Sequence, residues 1–278
     1  MVCELNEMVH VNFLAKCLVH SNTQYVSYMK KTEKVAVFND EFRDLAKAGG
    51  MSEAGQGFLT GKKISVPDLF CNCCGKPVHN YSVTKPSSNV QYFACHDGLT
   101  LHDSIVNNMS IDESTEEGKI EAVNRLKLAN ALLLTSQGIA FLHAGQERGR
   151  TKPAFTTAGT SDCETIGNFV KNSYDSSDNI NNFIWNLSDL NKDLFEYTKN
   201  LIALRKNNSV FTISTQDEVM SRISLLGELC EDFFMAYKIL DEKGDWYLFF
   251  NSDGEDKNID LNLEGKKILY ADKEKVYP

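Results

Sequence analysis

The sequence predicts an α/β protein followed by a small all-β, sandwich-like domain. Short runs that are apolar without interruption, as in strands buried on both faces, alternate with segments whose apolar residues recur at helical spacing. Beyond about Asn207 this alternation gives way to short strand-like runs separated by turn residues. We therefore expect parallel β/α units over residues 33–207 and a β-domain over residues 208–278. No pattern assigns the N-terminal segment, residues 1–32.

The first β/α unit is predicted at residues 33–50. The run "EKVAVFND" (33–40) is rich in β-branched and aromatic residues, which is typical of a buried strand. The following "EFRDLAKAGG" predicts a short helix that ends at Gly49 and Gly50. Residues 51–88 are rich in Gly, Ser, Pro and Cys and predict a long excursion without regular elements.

The second unit begins with "NVQYFAC" (89–95), which predicts a strand and is followed by a polar loop. Ser114 and Glu117 form a capping-box pattern for the next helix, on which Glu121 is placed to pair with Arg125. The apolar stripe of this helix consists of Ile120, Val123, Leu126, Ala129 and Leu133.

The third unit begins with the apolar run "GIAFLHAG" (138–145), which predicts another buried strand. A long loop to about Asp189 separates it from a predicted helix. The apolar stripe of that helix consists of Leu194, Tyr197, Leu201 and Leu204. The strands predicted for the C-terminal domain are "DFFMAYKIL", "DWYLFFN", "NIDLNLEG" and "KKILYAD".

Charge and hydropathy exclude several classes of partner. The formal net charge of −9 argues against nucleic acid, because phosphate backbones are bound mainly by Lys and Arg. No apolar run approaches the roughly 18–20 residues that span a bilayer. The first 20 residues lack a basic flank and contain Glu4 and Glu7, which is a poor secretory signal and predicts a cytoplasmic location. An extracellular location would need an export signal on a segment that precedes this sequence.

The eight cysteines show no repeating framework, so we expect free thiols. The stretch "CNCCGKPVH" could supply four zinc ligands, Cys71, Cys73, Cys74 and His79, but no second cysteine pair of the usual spacing accompanies it. The favoured interpretation is a cysteine-bearing loop. A small metal-binding interaction module is the alternative, and no metal or cofactor is predicted.

The stretch "YFACHDGLTLHD" places His96 and Asp97 directly after the second predicted strand. In β/α barrels the carboxyl ends of the strands carry the loops that form the active site. A strand-end Asp is more often a helix or turn cap, and a neighbouring His a satisfied hydrogen-bonding group. The wider sequence favours the functional interpretation.

The same stretch resembles the His-Asp motif of the α-amylase superfamily of glycoside hydrolases, in the form found in debranching enzymes. "VAVFNDEFRD" resembles the sixth barrel strand and following helix of pullulanase-type enzymes, and "LANALLLTSQGIAFLHAGQERGRTK" resembles their seventh helix and eighth strand. "KNSYDSSDNINNFIW" resembles their substrate-facing loop. The resemblance covers residues 33–206 and implies the C-terminal portion, about strands 6 to 8, of a (β/α)8 TIM barrel.

The resemblance also implies roles for four residues. Such enzymes cleave with retention through two carboxylates, while a third binds sugar hydroxyls as the ring flattens. Asp97 matches the third carboxylate, and His96 matches the histidine that bonds the same sugar. Asn172 and Tyr174 match positions that face the sugar; their structural alternatives are a turn Asn and a Tyr packed on the rim.

Three further residues admit two interpretations. Glu147 is tempting as a catalytic acid, but we expect it to orient its loop by binding backbone or Arg150. Phe183 and Trp185 could form a sugar platform, although a large aromatic residue near a barrel rim is more often part of the core.

The motifs that carry the nucleophile and the acid in this family, Arg-x-Asp and Gly-Glu-x-Trp, should precede "VAVFND", and neither occurs there. The resemblance thus implies a hydrolase of α-1,6 branch linkages in α-glucans such as starch, glycogen and pullulan, but we expect this chain alone to be inactive. The alternatives are an inactive α-glucan-binding fragment or pseudoenzyme, or a barrel completed by a second polypeptide. Three strands cannot close a barrel and would leave two unpaired edges.

Overall fold

The computed structural model describes residues 2–4, 29, 34–47, 53–154, 163–183 and 185–259. A four-stranded sheet of order β1-β2-β3-β4 organises the N-terminal part of these residues. Its strands are β1 Val2–Glu4, β2 Val35–Phe38, β3 Asn89–Gln91 and β4 Ile139–Ala140. β2, β3 and β4 run parallel to one another. The three predicted parallel strands are therefore confirmed, although β4 is shorter than its apolar run.

The strand β1 was not predicted, and it changes one expectation. It pairs antiparallel with β2, with Val2 opposite Val37 and Glu4 opposite Val35. The expectation of two unpaired sheet edges is therefore wrong on the β2 side, where the backbone groups of β2 have a partner on the chain itself.

Helices lie between the parallel strands and after them. They are α1 Asp40–Ala46, α2 Val66–Cys73, α3 Leu101–Met109, α4 Glu116–Thr135, α5 Asp178–Asn181 and α6 Asp189–Asn207. The predicted end of α1 at Gly49 and Gly50 falls outside the described residues. α2 lies in the predicted excursion and α3 in the predicted polar loop, so both of those expectations are wrong. A two-stranded hairpin, β5 Thr165–Ile166 and β6 Phe169–Val170, precedes α5.

The N-cap predicted at Ser114 is displaced by one residue, and α4 begins at Glu116. The N-cap is Thr115, whose hydroxyl accepts a hydrogen bond from the backbone N–H of Gly118 at 3.0 Å. Glu121 and Arg125 form the expected ion pair at 2.7 Å. Ile120 is 42% exposed, whereas the other members of its predicted stripe are buried.

One apolar core runs through both predicted domains. α4 packs against α6, whose four predicted stripe residues are all buried. Arg205 of α6 is also largely buried and donates hydrogen bonds to the carbonyl oxygens of Leu134, Ser136 and Gly138, at 2.6–2.9 Å. The last turn of α4 is thereby tied to the start of β4, since terminal helix carbonyls have no partner within the helix.

Four buried polar residues, Asn39, Glu41, Asn72 and Gln91, form what we call the interior polar network. The Asn39 amide donates to Asn72 Oδ1 and to Gln91 Oε1, both at 2.9 Å. The Asn72 amide donates to Glu41 Oε1 at 2.7 Å. Glu41 also accepts from three backbone N–H groups, those of Val78, His79 and Asn80. The network fixes the segment around α2 to the strands and to α1.

The C-terminal region contains a three-stranded antiparallel sheet, β7 Ile223–Leu225, β8 Phe234–Ile239 and β9 Trp246–Asn251. β8 and β9 confirm two predicted strands. The expectation of an all-β sandwich is wrong for the described part, which holds one sheet and a helix, α7 Gln216–Arg222. The stretches "NIDLNLEG" and "KKILYAD" lie almost entirely outside the described residues. The domain boundary at Asn207, where α6 ends, stays a prediction.

Candidate functional site

Polar side chains gather where the parallel strands end. Asp40 and Arg43 follow β2, His96 and Asp97 follow β3, and His143 follows β4. Because parallel strands place their carboxyl ends on one edge of a sheet, these side chains lie on the same edge. His96 and Asp97 are exposed there. His96 and Asp97 thus lie, as expected, at the carboxyl ends of the parallel strands. We call this end of the sheet the strand-end rim.

Asp97 is held in its ionised form by its neighbours. Partial burial raises the pKa of its carboxyl group, but hydrogen bonds from the Cys95 thiol and from its own backbone N–H outweigh this effect, with help from the charges of His96 and Arg43. The net pKa is below the ordinary value. Burial and the same hydrogen bond raise the pKa of Cys95 to about 11. The thiol therefore stays protonated and donates a hydrogen bond to Asp97.

Tyr174 lies beside His96. The two rings meet edge to face, with centroids 6.5 Å apart and an interplanar angle of 81°. Tyr174 is 68% exposed, so most of it is open to solvent beyond this contact. Asn172 adopts a left-handed conformation, with φ of 53°, at the start of the short 3-10 helix Ser173–Asp175. Asn tolerates this conformation better than most residues. Asn172 is therefore suited to the turn, which was the structural alternative for this position.

A hydrogen-bonded scaffold positions the loop that carries Tyr174. The Asn181 amide donates to the carbonyl oxygen of Ser173 at 2.6 Å, and Arg150 donates to the carbonyl oxygen of Asn181 at 2.6 Å. The buried Lys152 ammonium donates to the hydroxyl of Ser173. The turn before Tyr174 is therefore fixed by side chains that follow β4, a connection across about 20 to 30 residues of sequence.

His143 and Lys152 are rim residues that the sequence analysis missed. Burial, together with the charges of Lys152, Arg150 and His96, lowers the pKa of His143 to about 4, so the imidazole is neutral near pH 7. Burial, together with Arg150, lowers the pKa of Lys152 to about 8. The stretch "FLHAGQERGRTK", already singled out for its resemblance, was the available signal.

Residues 71–79 do not form a metal-binding module, and that alternative is wrong. Cys73 and Cys74 are buried in the apolar core, where burial raises the pKa of Cys73 to about 12. His79 Nε2 lies 3.3 Å from Asp68 Oδ2 instead. Nowhere in the described part of the chain do three or more His, Cys, Asp or Glu side chains converge as metal ligands would.

Two expectations for the loop after β4 have opposite outcomes. Glu147 accepts a hydrogen bond from the backbone N–H of Gly145 at 3.1 Å, as expected for a residue that orients its loop. Trp185 is 74% exposed, so its assignment to the core is wrong. Its ring lies 4.9 Å from that of Phe183, centroid to centroid.

Comparison with known proteins identifies the relatives of this chain. Pullulanase A of Streptococcus pneumoniae is 35% identical over 266 residues, a match that covers 84% of this chain and 21% of that protein. The pullulanase of Bacillus subtilis is 27% identical over 242 residues. The chain's homologues are pullulanases. No family model matches the sequence.

Solved structures agree with this assignment. The catalytic module of SpuA, a multi-modular glycogen-degrading pneumococcal virulence factor, superposes with a TM-score of 0.77 at 32% identity and covers 84% of this chain. The group B Streptococcus pullulanase SAP in complex with maltotetraose superposes with a TM-score of 0.74 at 32% identity. The resemblance to pullulanases is therefore confirmed, over a chain that spans 21–30% of the length of these curated relatives. Among the described residues, no helix is long and apolar enough to cross a membrane.

Proposed function

We propose that this chain supplies the sugar-binding rim of a pullulanase-like glycoside hydrolase that acts on α-1,6 branch linkages of α-glucans. The observation that carries the proposal is the exposed, ionised Asp97 beside His96 and Tyr174 at the carboxyl edge of parallel strands. We assign β2, β3 and β4 to the sixth, seventh and eighth strands of a (β/α)8 barrel. On that assignment the rim belongs to the face that carries the active site in such barrels.

The chemistry of the rim fits a sugar that is cleaved through a flattened, positively charged ring. A carboxylate that stays ionised accepts hydrogen bonds from sugar hydroxyls, and its attraction grows as charge develops on the ring. Because the pKa of Asp97 is lowered, this anion persists into mildly acidic solution. His96 offers a directed N–H, Tyr174 an exposed ring for stacking, and Asn172 an amide at the turn beside it.

The experiment is a binding measurement on the 278-residue chain. We expect maltotetraose to bind and Asp97→Asn to weaken the binding roughly 10- to 100-fold, since a hydrogen bond to a charged group contributes about 1.5–3 kcal/mol. Asp217→Asn, which removes an exposed carboxylate on α7, is the matched control. Equal affinities of the wild-type chain and Asp97→Asn would refute the role of Asp97.

The second part of the proposal concerns turnover. Since the nucleophile and acid motifs do not occur before β2, we expect the purified chain to bind pullulan without releasing reducing sugar. A second polypeptide that carries both motifs would complete the barrel and restore cleavage when the two are mixed. Turnover of pullulan by the purified 278-residue chain alone would contradict this expectation.

A further inference from the structure

The exposed apolar side chains of the described residues are unevenly distributed. The two most exposed large ones are Trp185 at 74% and Tyr174 at 68%, and both lie on the loop between β6 and α6. The other exposed large hydrophobic side chains are aliphatic or Met and lie singly elsewhere, as is normal for protein surfaces. Two exposed aromatic residues on one loop need a different explanation.

The Trp185 ring is fixed in position although it is exposed. Arg148 donates a hydrogen bond to the Trp185 carbonyl oxygen at 2.8 Å, and its guanidinium lies 5.2 Å from the indole centroid. The same guanidinium lies 5.1 Å from the ring of Phe183, which in turn contacts the indole at an interplanar angle of 54°. A side chain that is already immobilised loses little further entropy on binding, so the exposed indole is preorganised for a ligand.

The indole and the strand-end rim share one scaffold. Arg150 follows β4, lies 5.9 Å from the Phe183 ring and donates to the carbonyl oxygen of Asn181. Asn181 in turn holds the turn at Ser173, directly before Tyr174. The Phe183 ring, which contacts both the indole and Arg150, thus connects the support of Trp185 to the hydrogen bonds that hold the turn before Tyr174.

The chemistry of the surface points to a sugar as the occupant. The C–H faces of a glucose ring stack on a flat aromatic ring, while its hydroxyls stay in water or bond to polar groups at the ring edge. A protein partner would need an apolar surface much larger than one indole. The net charge of −9 disfavours polyanions. Continuity with the rim favours the same neutral polymer that is proposed for Asp97.

We propose that Trp185 is an outlying α-glucan subsite, which binds a glucose unit of the same chain whose other end lies at Asp97. This inference rests on the proposed function, because it names a second contact of the same ligand. Its consequence is a preference for longer oligosaccharides that the rim residues alone would not give.

The test compares maltotriose with maltohexaose on the full chain. We expect Trp185→Ala to weaken maltohexaose binding roughly tenfold, in line with the strength of aromatic contacts, and to leave maltotriose binding unchanged. Met220→Ala, which removes a 55% exposed side chain on α7, is the matched control and should change neither affinity. An equal loss for both sugars, or for neither, would overturn the subsite.

Fluorescence gives a second readout, because the chain has two tryptophans and Trp246 is packed against Phe211. Maltohexaose should shift the emission of the wild-type chain, and Trp185→Phe should abolish the shift while keeping part of the affinity. If Asp97→Asn weakens binding and Trp185→Ala does not, the subsite is wrong and the proposed function stands. If the wild-type chain binds neither sugar, both proposals fail.

Discussion

Two polar clusters lie beside the parallel sheet, the interior polar network and the strand-end rim, and they differ in how fully their side chains are hydrogen-bonded within the protein. In the interior polar network, Asn39 and Glu41 are buried. Apart from Asn39 Oδ1, which accepts from the backbone N–H of Phe42 at the start of α1, their side chains bond to distant parts of the chain. At the strand-end rim, His96 and Asp97 are exposed, and among the described residues Asp97 bonds within its own turn. In sequence, Gln91 of the interior polar network and Asp97 of the rim lie less than ten residues apart.

The difference separates polar groups that stabilise the fold from polar groups that are available to a ligand. A buried acceptor that loses its donors, or the reverse, costs about 1–3 kcal/mol, so the interior cluster constrains the packing of α1 and α2. An exposed carboxylate with few protein partners contributes little to stability. Mutations in the interior polar network should therefore lower stability, and mutations at the strand-end rim should lower binding.

The largest effect is expected from Glu41→Ala. It leaves three backbone N–H groups and the Asn72 amide without their acceptor, so we expect a loss of roughly 3–5 kcal/mol of unfolding free energy, as for other broken buried charge networks. Urea unfolding measures it. Glu117→Ala, on the exposed first turn of α4, is the control and should lie near wild type. A Glu41→Ala variant within 1 kcal/mol of wild type would show that water replaces the lost acceptor.

A buried ionised group, His102, makes the stability of the chain depend on pH. His102 lies between Asp103 and Glu113, with N–O distances of 3.1 Å and 2.9 Å. Burial lowers the pKa of His102, but hydrogen bonds and charge from the two carboxylates outweigh it and raise the pKa to about 9. A pKa raised in the folded state contributes stability that is complete below the unfolded value of about 6.5 and disappears as pH rises through 9.

We therefore expect the wild-type chain to lose about 2–3 kcal/mol of unfolding free energy between pH 6 and pH 9.5 because of this residue. His102→Gln should be less stable at pH 6 and should flatten the profile over the same window. The urea midpoint measured at half-unit pH steps checks both. A profile that is equally steep in the two proteins would assign the pH dependence to other groups.

The smallest effect on stability is expected from Tyr174→Ala. Among the described residues the Tyr174 ring contacts the ring of His96, and exposed substitutions usually change stability by less than about 0.5 kcal/mol. Binding of maltotetraose should nevertheless weaken several-fold. A large loss of stability together with the loss of binding would place Tyr174 among the structural residues and erase the distinction between the two clusters.

The sequence predicts the parts of the fold that depend on local pattern. α4 and α6 are long and periodic, so these helices were expected with nearly correct bounds. β2 and β3 lie within the runs that predicted them, although β3 covers only the first three residues of "NVQYFAC". α2 and α3 were missed because they are short and carry polar residues whose partners lie far away in sequence. Asn72, for example, faces the core only because Asn39 and Glu41 satisfy its amide. No local pattern could show β1.

The same limit applies to the site. The position of His96 and Asp97 at the end of a strand could be predicted because they directly follow an apolar run. This prediction needs no knowledge of tertiary contacts. The exposure of Trp185 depends on Arg148, 37 residues earlier, whose guanidinium holds the indole at the surface. Hydrophobicity alone assigns such a ring to the core, so only the three-dimensional contact separates a platform from a packing residue.

The antiparallel course of β1 sets a condition on any assembly of a full barrel. A parallel strand from a companion polypeptide needs the edge of β2 that Val2–Glu4 already occupies. A companion strand could dock there only by displacing β1, so that the backbone hydrogen bonds between β1 and β2 are replaced by hydrogen bonds to the new strand. If a companion polypeptide adds its strand to β2, Val2–Glu4 must first leave that edge, so we expect deletion of residues 2–4 to hasten the restoration of cleavage on mixing.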